Sequence, residues 1–243
     1  MRFVDSHLHL DGPDVKATLS FARSAGALLL ACGVDSDSSI RLLKLAESVP
    51  GTARPFVGVH PSEASKKGDF GWLVEAAKKA SGIGEVGLDP SYSAISEGGP
   101  QMEAFRHQVE VAEKEGKPIQ VHSRMAEAEC LEVLGGFEPR RVLLHWLESE
   151  DALPLAVGRG YYVSFGPALL YSKKLQRMAA RADPSLILLE SDSPVPYAPL
   201  GGAFGPVLVP SVAFKLAELR GVAFEEVLLT CSQNSLRFLG EKG

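Results

Sequence analysis

The stretch Leu28-Leu29-Leu30-Ala31 is apolar at every position, and so is Leu186-Ile187-Leu188-Leu189 much later in the chain. A strand with one face in water alternates apolar and polar residues, whereas a strand of a parallel sheet that is covered on both faces is apolar throughout. Eight short apolar runs follow one another along the chain, at residues 3–5, 27–32, 55–59, 83–87, 118–122, 142–145, 161–165 and 186–190. These runs predict eight buried strands of a parallel sheet.

Segments with helical periodicity separate many of these runs. The clearest one begins at Pro100, which suits the first turn of a helix, places Met102 and Phe105 on one face and ends at Gly116. Similar segments occupy residues 38–49, 72–80, 126–134, 172–181, 212–219 and 224–238. The alternation predicts an α/β fold, a single-domain (β/α)8 TIM barrel over residues 1–243. A doubly wound open sheet is the competing fold, because periodicity alone does not separate the two.

One long segment departs from this rhythm. Residues 193–210 contain five prolines and three glycines and carry no charged side chain. Proline removes a backbone donor and glycine weakens regular structure, so the segment is predicted to form neither a helix nor a central strand. We expect a loop over the mouth of the last strand, where long loops in compact domains are usually functional.

The charge and cysteine content disfavour several classes of protein. The chain carries 25 Lys and Arg against 30 Asp and Glu, a net charge of −5, so a contact with nucleic acid requires a local basic patch or bound cations. Its three cysteines are far apart and form no Cys-x-x-Cys pair, which argues against a disulfide framework or a thiolate zinc site and favours a reducing, cytoplasmic location. The sequence contains no apolar signal core and no membrane span, so we expect no membrane partner.

Five of the six histidines lie at or just after the end of a predicted strand. The carboxyl ends of parallel strands gather on one face of a barrel, so these imidazoles and two carboxylates placed by the same rule are expected to converge. The set is His7, His9, His60, Glu85, His122, His145 and Asp192. His7 and His9 are two apart in an extended segment and point to the same side, so they are able to bind one ion together, and a carboxylate such as Glu85 is able to bridge two ions. Mixed imidazole and carboxylate donors suit zinc, manganese, iron or cobalt better than an all-oxygen magnesium cage.

Two sequence motifs suggest a dinucleotide site and a serine nucleophile, but neither has the surrounding sequence that such a site requires. Residues 82–87 fit the pattern Gly-x-Gly-x-x-Gly, but the glycines lie within a predicted strand and no helix opens at the third one, which argues against a dinucleotide site. Ser123 and Ser193 lie beside predicted site residues, but neither belongs to a Gly-x-Ser-x-Gly elbow, so a serine nucleophile is disfavoured. A metal-dependent reaction is the prediction that remains.

Short motifs in a fixed order along nearly the whole chain resemble the TatD-related metal-dependent hydrolases, a branch of the amidohydrolase-like barrels. The motifs are Asp5-Ser6-His7-Leu8-His9-Leu10, Gly58-Val59-His60-Pro61, Gly84-Glu85-Val86-Gly87-Leu88-Asp89, Val121-His122-Ser123-Arg124, Leu143-Leu144-His145-Trp146, Leu188-Leu189-Glu190-Ser191-Asp192-Ser193-Pro194 and Asn234-Ser235-Leu236-Arg237-Phe238. His-x-His alone is weak evidence, whereas the ordered set is strong.

The resemblance implies a binuclear metal centre with these ligands: His7, His9 and Asp192 for the first cation, His122 and His145 for the second, and Glu85 for both. The resemblance leaves open whether the two divalent cations are zinc, manganese or magnesium. Enzymes of this family typically hydrolyse phosphodiester bonds in DNA. The resemblance therefore implies a deoxyribonuclease, with DNA or another phosphodiester as a transient partner and no obligate protein partner.

The expected mechanism uses a water held between the two cations. The cations lower its pKa towards about 7 and neutralise the charge that builds on the scissile oxygen. Asp192 is the candidate general base and, with Glu85, makes up the candidate catalytic pair. His60 and Arg124 are candidates for binding the substrate anion, Arg124 through its forked guanidinium. A salt bridge at the end of the barrel is the alternative role for Arg124.

Two other functions stay open at this point. The first is metal-dependent hydrolysis of an ester or amide bond, as in family members that remove D-amino acids from transfer RNA. Many members of the family have a basic and polar segment where this chain has the uncharged residues 193–210, which offer no ionic contact to a nucleic-acid backbone. The second is a noncatalytic binding barrel, which the presence of every implied ligand disfavours.

Overall fold

The structure, a computed structural model, describes residues 3–12, 14–66 and 70–241. Its centre is one sheet of eight parallel strands that lie side by side in the order in which they occur in the chain. The strands are β1 (Val4–Leu8), β2 (Leu28–Cys32), β3 (Ala53–Val57), β4 (Gly82–Gly87), β5 (Ile119–His122), β6 (Val142–Leu144), β7 (Tyr162–Phe165) and β8 (Ile187–Leu189). Each predicted apolar run overlaps one of them.

The first and last strands meet and close the sheet on itself. The backbone N–H of Asp192 donates to the carbonyl of His7 at 3.0 Å, and the N–H of His9 donates to the carbonyl of Ser193 at 2.7 Å. These bonds join the chain just after β8 to β1 and produce a nearly closed barrel. The strand order contains no reversal, which excludes the doubly wound alternative. The predicted (β/α)8 fold is confirmed.

The described residues include nine α-helices outside the barrel: α1 (Val15–Ala25), α2 (Ser36–Ser48), α3 (Gly71–Lys79), α4 (Pro100–Lys114), α5 (Glu127–Gly135), α6 (Ala152–Gly158), α7 (Lys173–Arg181), α8 (Val209–Arg220) and α9 (Phe224–Leu239). The sequence prediction omitted α1 and α6. Helix α1 places Val15, Leu19 and Ala22 at helical spacing on its buried face, so the sequence contains its apolar stripe and the prediction was incomplete there. Helix α6 is short and contains Pro154 and Gly158, two residues that disfavour helices. None of the described helices has the length and apolar composition needed to cross a lipid bilayer.

The lower half of the barrel interior is apolar. Successive residues of β2 point to opposite sides, so that Leu29 packs with the surrounding helices while Leu28 and Leu30 join an inner cluster. In that cluster Phe56 of β3 stacks on Phe238 of α9, with ring centroids 5.9 Å apart and planes within 4°. We call this inner cluster the barrel floor. It fills the space beneath the carboxyl ends of the strands, so polar side chains at those ends rest on a packed base.

Residues 193–210 have more regular structure than the sequence predicted. They form a short antiparallel hairpin of β9 (Pro196–Tyr197) and β10 (Gly202–Ala203), with one turn of 3₁₀-helix between the two strands and another after β10. Helix α8 begins at Val209, so the prediction that the whole segment is non-helical is wrong at its end. Pro210 lies in the first helical turn, where the missing N–H has no partner to lose.

Candidate metal centre

All six residues expected to bind metal lie at the carboxyl end of the barrel. They come from five strands or the residues that follow them: His7 and His9 from β1, Glu85 from β4, His122 from β5, His145 from β6 and Asp192 from β8. Most of them are buried, and the side chain of His9 is only 12% exposed. The structure thus brings together donor atoms that are spread over most of the chain.

His7, His9 and Asp192 form what we call the first donor group, around one carboxylate oxygen of Glu85. Nε2 of His7 lies 3.5 Å from Oε2 of Glu85 and 3.5 Å from Oδ1 of Asp192. Nε2 of His9 lies 3.2 Å from the same Glu85 oxygen and 3.9 Å from the same Asp192 oxygen. The donor atoms therefore surround one point, which suits a single cation.

His122 and His145 form the second donor group, which faces the other oxygen of Glu85. Nδ1 of His122 and Nε2 of His145 each lie 2.7 Å from Oε1 of Glu85. Burial disfavours the ionised form of Glu85, but the nearby imidazoles, that of His60 foremost, hold its pKa well below the usual range. Glu85 is therefore a carboxylate between two sets of imidazoles, in the position of a bridging ligand.

His60 lies closer to the second donor group than a role in substrate binding alone requires. Its Nε2 is 3.5 Å from Oε1 of Glu85 and 3.4 Å from Nδ1 of His122. Its Nδ1 lies 2.8 Å from the hydroxyl of Ser62. Burial lowers the pKa of His60 to about 4, so the ring is neutral at pH 7. A neutral imidazole at this position is able to bind a cation or hydrogen-bond a substrate, but it does not attract an anion by its charge.

The residues of the centre fit a metal ion. Nε2 of His7 is buried and has no hydrogen-bond partner among the described residues, while Nδ1 of the same ring lies 2.6 Å from Oε1 of Gln120. Leaving a buried polar atom without a partner costs about 1–3 kcal/mol, and a cation in the first donor group removes that cost. Imidazole nitrogens and carboxylate oxygens are suitable donors for divalent zinc or manganese.

Asp192 has the surroundings of a proton acceptor. Burial raises the pKa of its carboxyl group, although the imidazoles of His7, His145 and His9 oppose this shift. Its φ of 47° lies in the left-handed region, which costs a residue with a side chain on the order of 1–2 kcal/mol. The hydrogen bond from its N–H to the carbonyl of His7 holds this backbone and directs the carboxylate at the first donor group.

The rim of the centre carries a basic side chain and an aromatic ring. Arg124 follows β5, its side chain is 62% exposed, and its Nη1 lies 4.0 Å from Oδ2 of Asp89. The structure therefore permits both roles considered for Arg124, a rim salt bridge and a contact to substrate. Tyr92 stands edge-on to the ring of His60, with centroids 5.5 Å apart.

The β9–β10 hairpin forms another side of the rim. The hydroxyl of Tyr197 donates to the carbonyl of Ser191 at 2.8 Å, and its ring stacks on Trp146 with centroids 5.4 Å apart. Trp146 directly follows His145 and has a φ of 43°, so its ring is turned towards the hairpin by a strained backbone. The hairpin contributes no charged side chain to this side of the rim, whereas Nε1 of Trp146 donates to the carboxylate of Glu148 at 2.9 Å.

Three polar residues of the centre were not identified as site residues from the sequence. Gln120, Asp89 and Glu190 are fully buried, and each contacts one of the histidines through the ring nitrogen that faces away from Glu85. In the sequence, only their positions relative to the strands indicate that they belong to the centre. Gln120 lies inside the apolar strand β5, and the two carboxylates follow β4 and β8 within two residues.

Comparison with known proteins gives one family for nearly the whole chain. The family model described as "TatD related DNase" matches residues 4–240. The chain is 28% identical to deoxyribonuclease TATDN3 of Homo sapiens over 96% of this chain and 93% of that protein. It is 30% identical to an uncharacterized metal-dependent hydrolase, YcfH, of Escherichia coli K12, over 98% of this chain and 95% of that protein.

Solved structures give the same fold. A crystal structure of YJJV, a TatD homologue from Escherichia coli K12, superposes with a TM-score of 0.87 and covers 97% of each chain at 24% sequence identity. A TatD family hydrolase from Entamoeba histolytica superposes with a TM-score of 0.83 at 15% identity, again over 97% of each chain. At these identities the likeness establishes the barrel.

Proposed function

The chain belongs to the TatD-related DNase family, and on that premise we propose that it is a divalent-metal-dependent phosphodiesterase that cleaves DNA. The Homo sapiens relative is named a deoxyribonuclease. The observation that carries the proposal is the placement of Glu85, whose two carboxylate oxygens face separate donor groups. Two cations that share one carboxylate are an arrangement that suits the hydrolysis of a phosphodiester.

The proposed centre holds two cations, one at each donor group. The first donor group would supply two imidazoles and a carboxylate, the second would supply two imidazoles, and Glu85 faces both through its two carboxylate oxygens. His60 is near enough to Oε1 of Glu85, at 3.5 Å, to add a third imidazole to the second position. This mixture of donors favours zinc or manganese over magnesium.

When bound, the two cations supply an acidified water and neutralise charge on the scissile phosphoryl oxygen. Asp192 accepts the proton of the attacking water, because its buried carboxylate faces the first donor group, with Oδ1 3.5 Å from Nε2 of His7. Glu85 stays ionised, since the imidazoles hold its pKa low, and keeps the two donor groups together. Asp192 and Glu85 are therefore the proposed catalytic residues.

Substrate binding is assigned to Arg124 and His60. The exposed guanidinium of Arg124 offers parallel N–H donors to the two oxygens of a phosphate. His60 is neutral at pH 7 and contributes a hydrogen bond or a metal contact. Because the chain has a net charge of −5, attraction of a polyanion is concentrated at the bound cations and this rim.

A reducing compartment, the cytoplasm, is the proposed location. Cys32, Cys130 and Cys231 are all buried and unpaired. Free buried thiols are typical of proteins that work where disulfides do not form.

Hydrolysis of an ester or amide bond is a second candidate function. The segment 193–210 forms one side of the rim and carries no charged side chain, so it offers no ionic partner to a phosphate backbone. An aminoacyl ester presents one acyl carbon and a side chain that is often apolar, which suits this uncharged surface better than a polyanion does.

The two candidates are separated by assaying the metal-loaded protein on DNA oligonucleotides and on aminoacyl esters. We expect cleavage of DNA, its loss in Asp192→Asn, and a KM raised about tenfold in Arg124→Gln, since a charge-assisted hydrogen bond contributes about 1.5–3 kcal/mol. Lys78→Gln, at an exposed position on α3, is the control and is expected to leave KM unchanged. Release of amino acids while DNA stays intact would reject the DNA substrate and select the ester.

A further inference from the structure

Each of the four histidines in the two donor groups turns one ring nitrogen towards Glu85 and the other towards a residue outside the groups. The inner nitrogen must offer a lone pair to a cation, so the outer nitrogen carries the proton and needs an acceptor. The chemistry of that acceptor differs between the first and the second donor group.

In the first donor group the outer acceptors are uncharged. Nδ1 of His7 lies 2.6 Å from the side-chain oxygen of Gln120, and Nδ1 of His9 lies 3.0 Å from the backbone carbonyl of Cys32. An amide oxygen and a carbonyl oxygen fix the orientation and tautomer of the rings. They add no net charge to the first donor group.

In the second donor group the outer acceptors are carboxylates. Oδ2 of Asp89 lies 2.9 Å from Nε2 of His122, and Oε1 of Glu190 lies 3.8 Å from Nδ1 of His145. Neither carboxylate has any exposed surface. Nδ1 of His145 and Oε1 of Glu190 both lack a hydrogen-bond partner among the described residues, so a small closure of the gap between them satisfies both.

Serine side chains hold the two carboxylates in place. The hydroxyl of Ser164 donates to Oε2 of Glu190 at 2.5 Å and so leaves Oε1 directed at the imidazole. Oδ1 of Asp89 accepts from the N–H and the hydroxyl of Ser91 at 2.8 and 2.6 Å, which leaves Oδ2 for its histidine. Each carboxylate thus has one oxygen fixed by the fold and the other aimed at the second donor group.

The outer carboxylates make up for a difference in negative charge between the two donor groups. The first donor group contains a carboxylate of its own, Asp192, whereas the second contains only imidazoles apart from the shared Glu85. Asp89 and Glu190 supply negative charge one residue further out, and a carboxylate bonded to a ligating imidazole also makes that imidazole a stronger donor.

We propose that Asp89 and Glu190 are positioning residues for the second cation, and that they set the affinity of the second donor group without affecting the first. The inference rests on the proposed function in one respect, namely that each donor group binds a cation. It does not depend on which substrate the protein hydrolyses.

The test is a titration of the chelated full-length protein with cobalt(II), followed by visible absorption and by calorimetry. We expect wild-type protein to bind two cations in two steps. Asp89→Asn and Glu190→Gln keep the size of the side chain and an acceptor oxygen but remove the charge. Each is expected to weaken one step about 10- to 100-fold and to leave the other step unchanged.

Variants with a single donor group assign the weakened step. His9→Ala disrupts the first group and His145→Ala the second. Asp89→Asn is expected to weaken the remaining cation when it is added to His9→Ala, but to leave that cation unchanged when it is added to His145→Ala. Gln120→Glu is the matched control, because it adds a negative charge beside His7. It is expected to raise the cation affinity of the first donor group only.

Equal weakening of both steps, or unchanged binding in Asp89→Asn and Glu190→Gln, would overturn the inference. Thermal unfolding of the chelated variants separates loss of a cation from loss of the fold. Ser164→Ala releases Glu190 without removing its charge and gives a milder variant, expected to shift the same step in the same direction. If wild-type protein bound only one cation, the proposed two-cation centre would itself be contradicted, so the two failures are distinguishable.

Discussion

At the scale of single residues, Glu85 determines whether the two donor groups share a ligand. It is 3% exposed, and its carboxylate oxygens lie within 3.5 Å of His7, His9, His60, His122 and His145. So many imidazoles around one buried carboxylate stabilise its ionised form against the cost of burial. Both donor groups therefore lose negative charge if this one side chain becomes neutral.

We expect Glu85→Gln to lower kcat by more than about 100-fold, because loss of an outer partner of a metal ligand already costs about 10- to 100-fold and a direct ligand contributes more. The measurement is hydrolysis at saturating cation together with the cation content of the purified protein. Glu75→Gln, at an exposed position on α3, removes the same charge far from the centre and is expected to change neither value. Full activity in Glu85→Gln would contradict the bridging role.

His60 gives the chelated protein a pH dependence of stability. Its pKa is about 4 in the folded chain, because of burial, against 6.5 for an unperturbed histidine. Between these values the unfolded chain binds more protons, so the free energy of unfolding falls as the pH decreases from about 6.5 to about 4. Above about 6.5 the ring is neutral in both states and this loss is absent.

Urea denaturation at several pH values measures this effect in wild-type protein and in His60→Gln. The variant is expected to show a flatter decline below pH about 6.5, because glutamine does not titrate. Two curves that stay parallel through this range would contradict the low pKa of His60.

At the scale of elements, the strands divide into an apolar lower half and a polar upper end. The barrel floor packs Phe56 of β3 against Phe238 of α9. It also takes residues from β1, β6 and β8, and these three strands lead into residues of the metal centre. A centre that rests on close-packed side chains keeps its donor atoms fixed, since the interior has little room to collapse. Stability and ligand geometry are therefore coupled through the strands.

We expect Phe56→Ala to lower the free energy of unfolding by about 3–5 kcal/mol, because it removes a fully buried ring and leaves a cavity in the barrel floor. Phe214→Ala is the matched control, since that ring on α8 is 64% exposed, and it is expected to change stability by no more than about 0.5 kcal/mol. Denaturation of both variants gives the comparison. Equal losses would show that the floor is not tightly packed.

The sequence predicted the strands better than the helices. The strands are apolar throughout because they are buried on both faces, and such runs are visible without any knowledge of the fold. Helix α1 has helical periodicity in Val15, Leu19 and Ala22, so nothing in its pattern accounts for its omission. Helix α6 is short and contains a proline, so it lacks the periodicity that identified the other helices. The start of α8 was missed for a related reason, because Pro210 breaks most helices but not their first turn.

At the scale of the whole molecule, one property of a parallel barrel explains why distant histidines were informative. The carboxyl ends of all eight strands point to one side, so a residue type that recurs at strand ends converges in space. Membership of the TatD-related family confirms the predicted resemblance and the prediction of a metal-dependent hydrolase. Asp89 and Glu190 were not identified, because their role depends on distances of about 3–4 Å to particular ring nitrogens, which the order of residues does not specify.

Removal of divalent cations is expected to destabilise the whole barrel, because the donor atoms come from strands all around it. A ligand that binds only the folded state stabilises it by about 2.7 kcal/mol at a concentration about 100 times its Kd. We expect a chelator to lower Tm and added zinc or manganese to restore it. In His145→Ala, which lacks part of the second donor group, the recovery should be smaller. A Tm that does not respond to chelator would contradict cation binding by the folded chain.

The joining of β1 to β8 also sets an order of events while the chain is being synthesised. Ser6 and Leu189, whose hydrogen bond links these two strands, are 183 residues apart. A ribosome therefore delivers His7 and His9 early, but the carboxylate of Asp192 emerges only after the eighth strand. The histidines of β5 and β6 and the glutamate of β4 leave the ribosome well before it, so the second donor group is synthesised in full before the first, which is completed only when β8 joins β1.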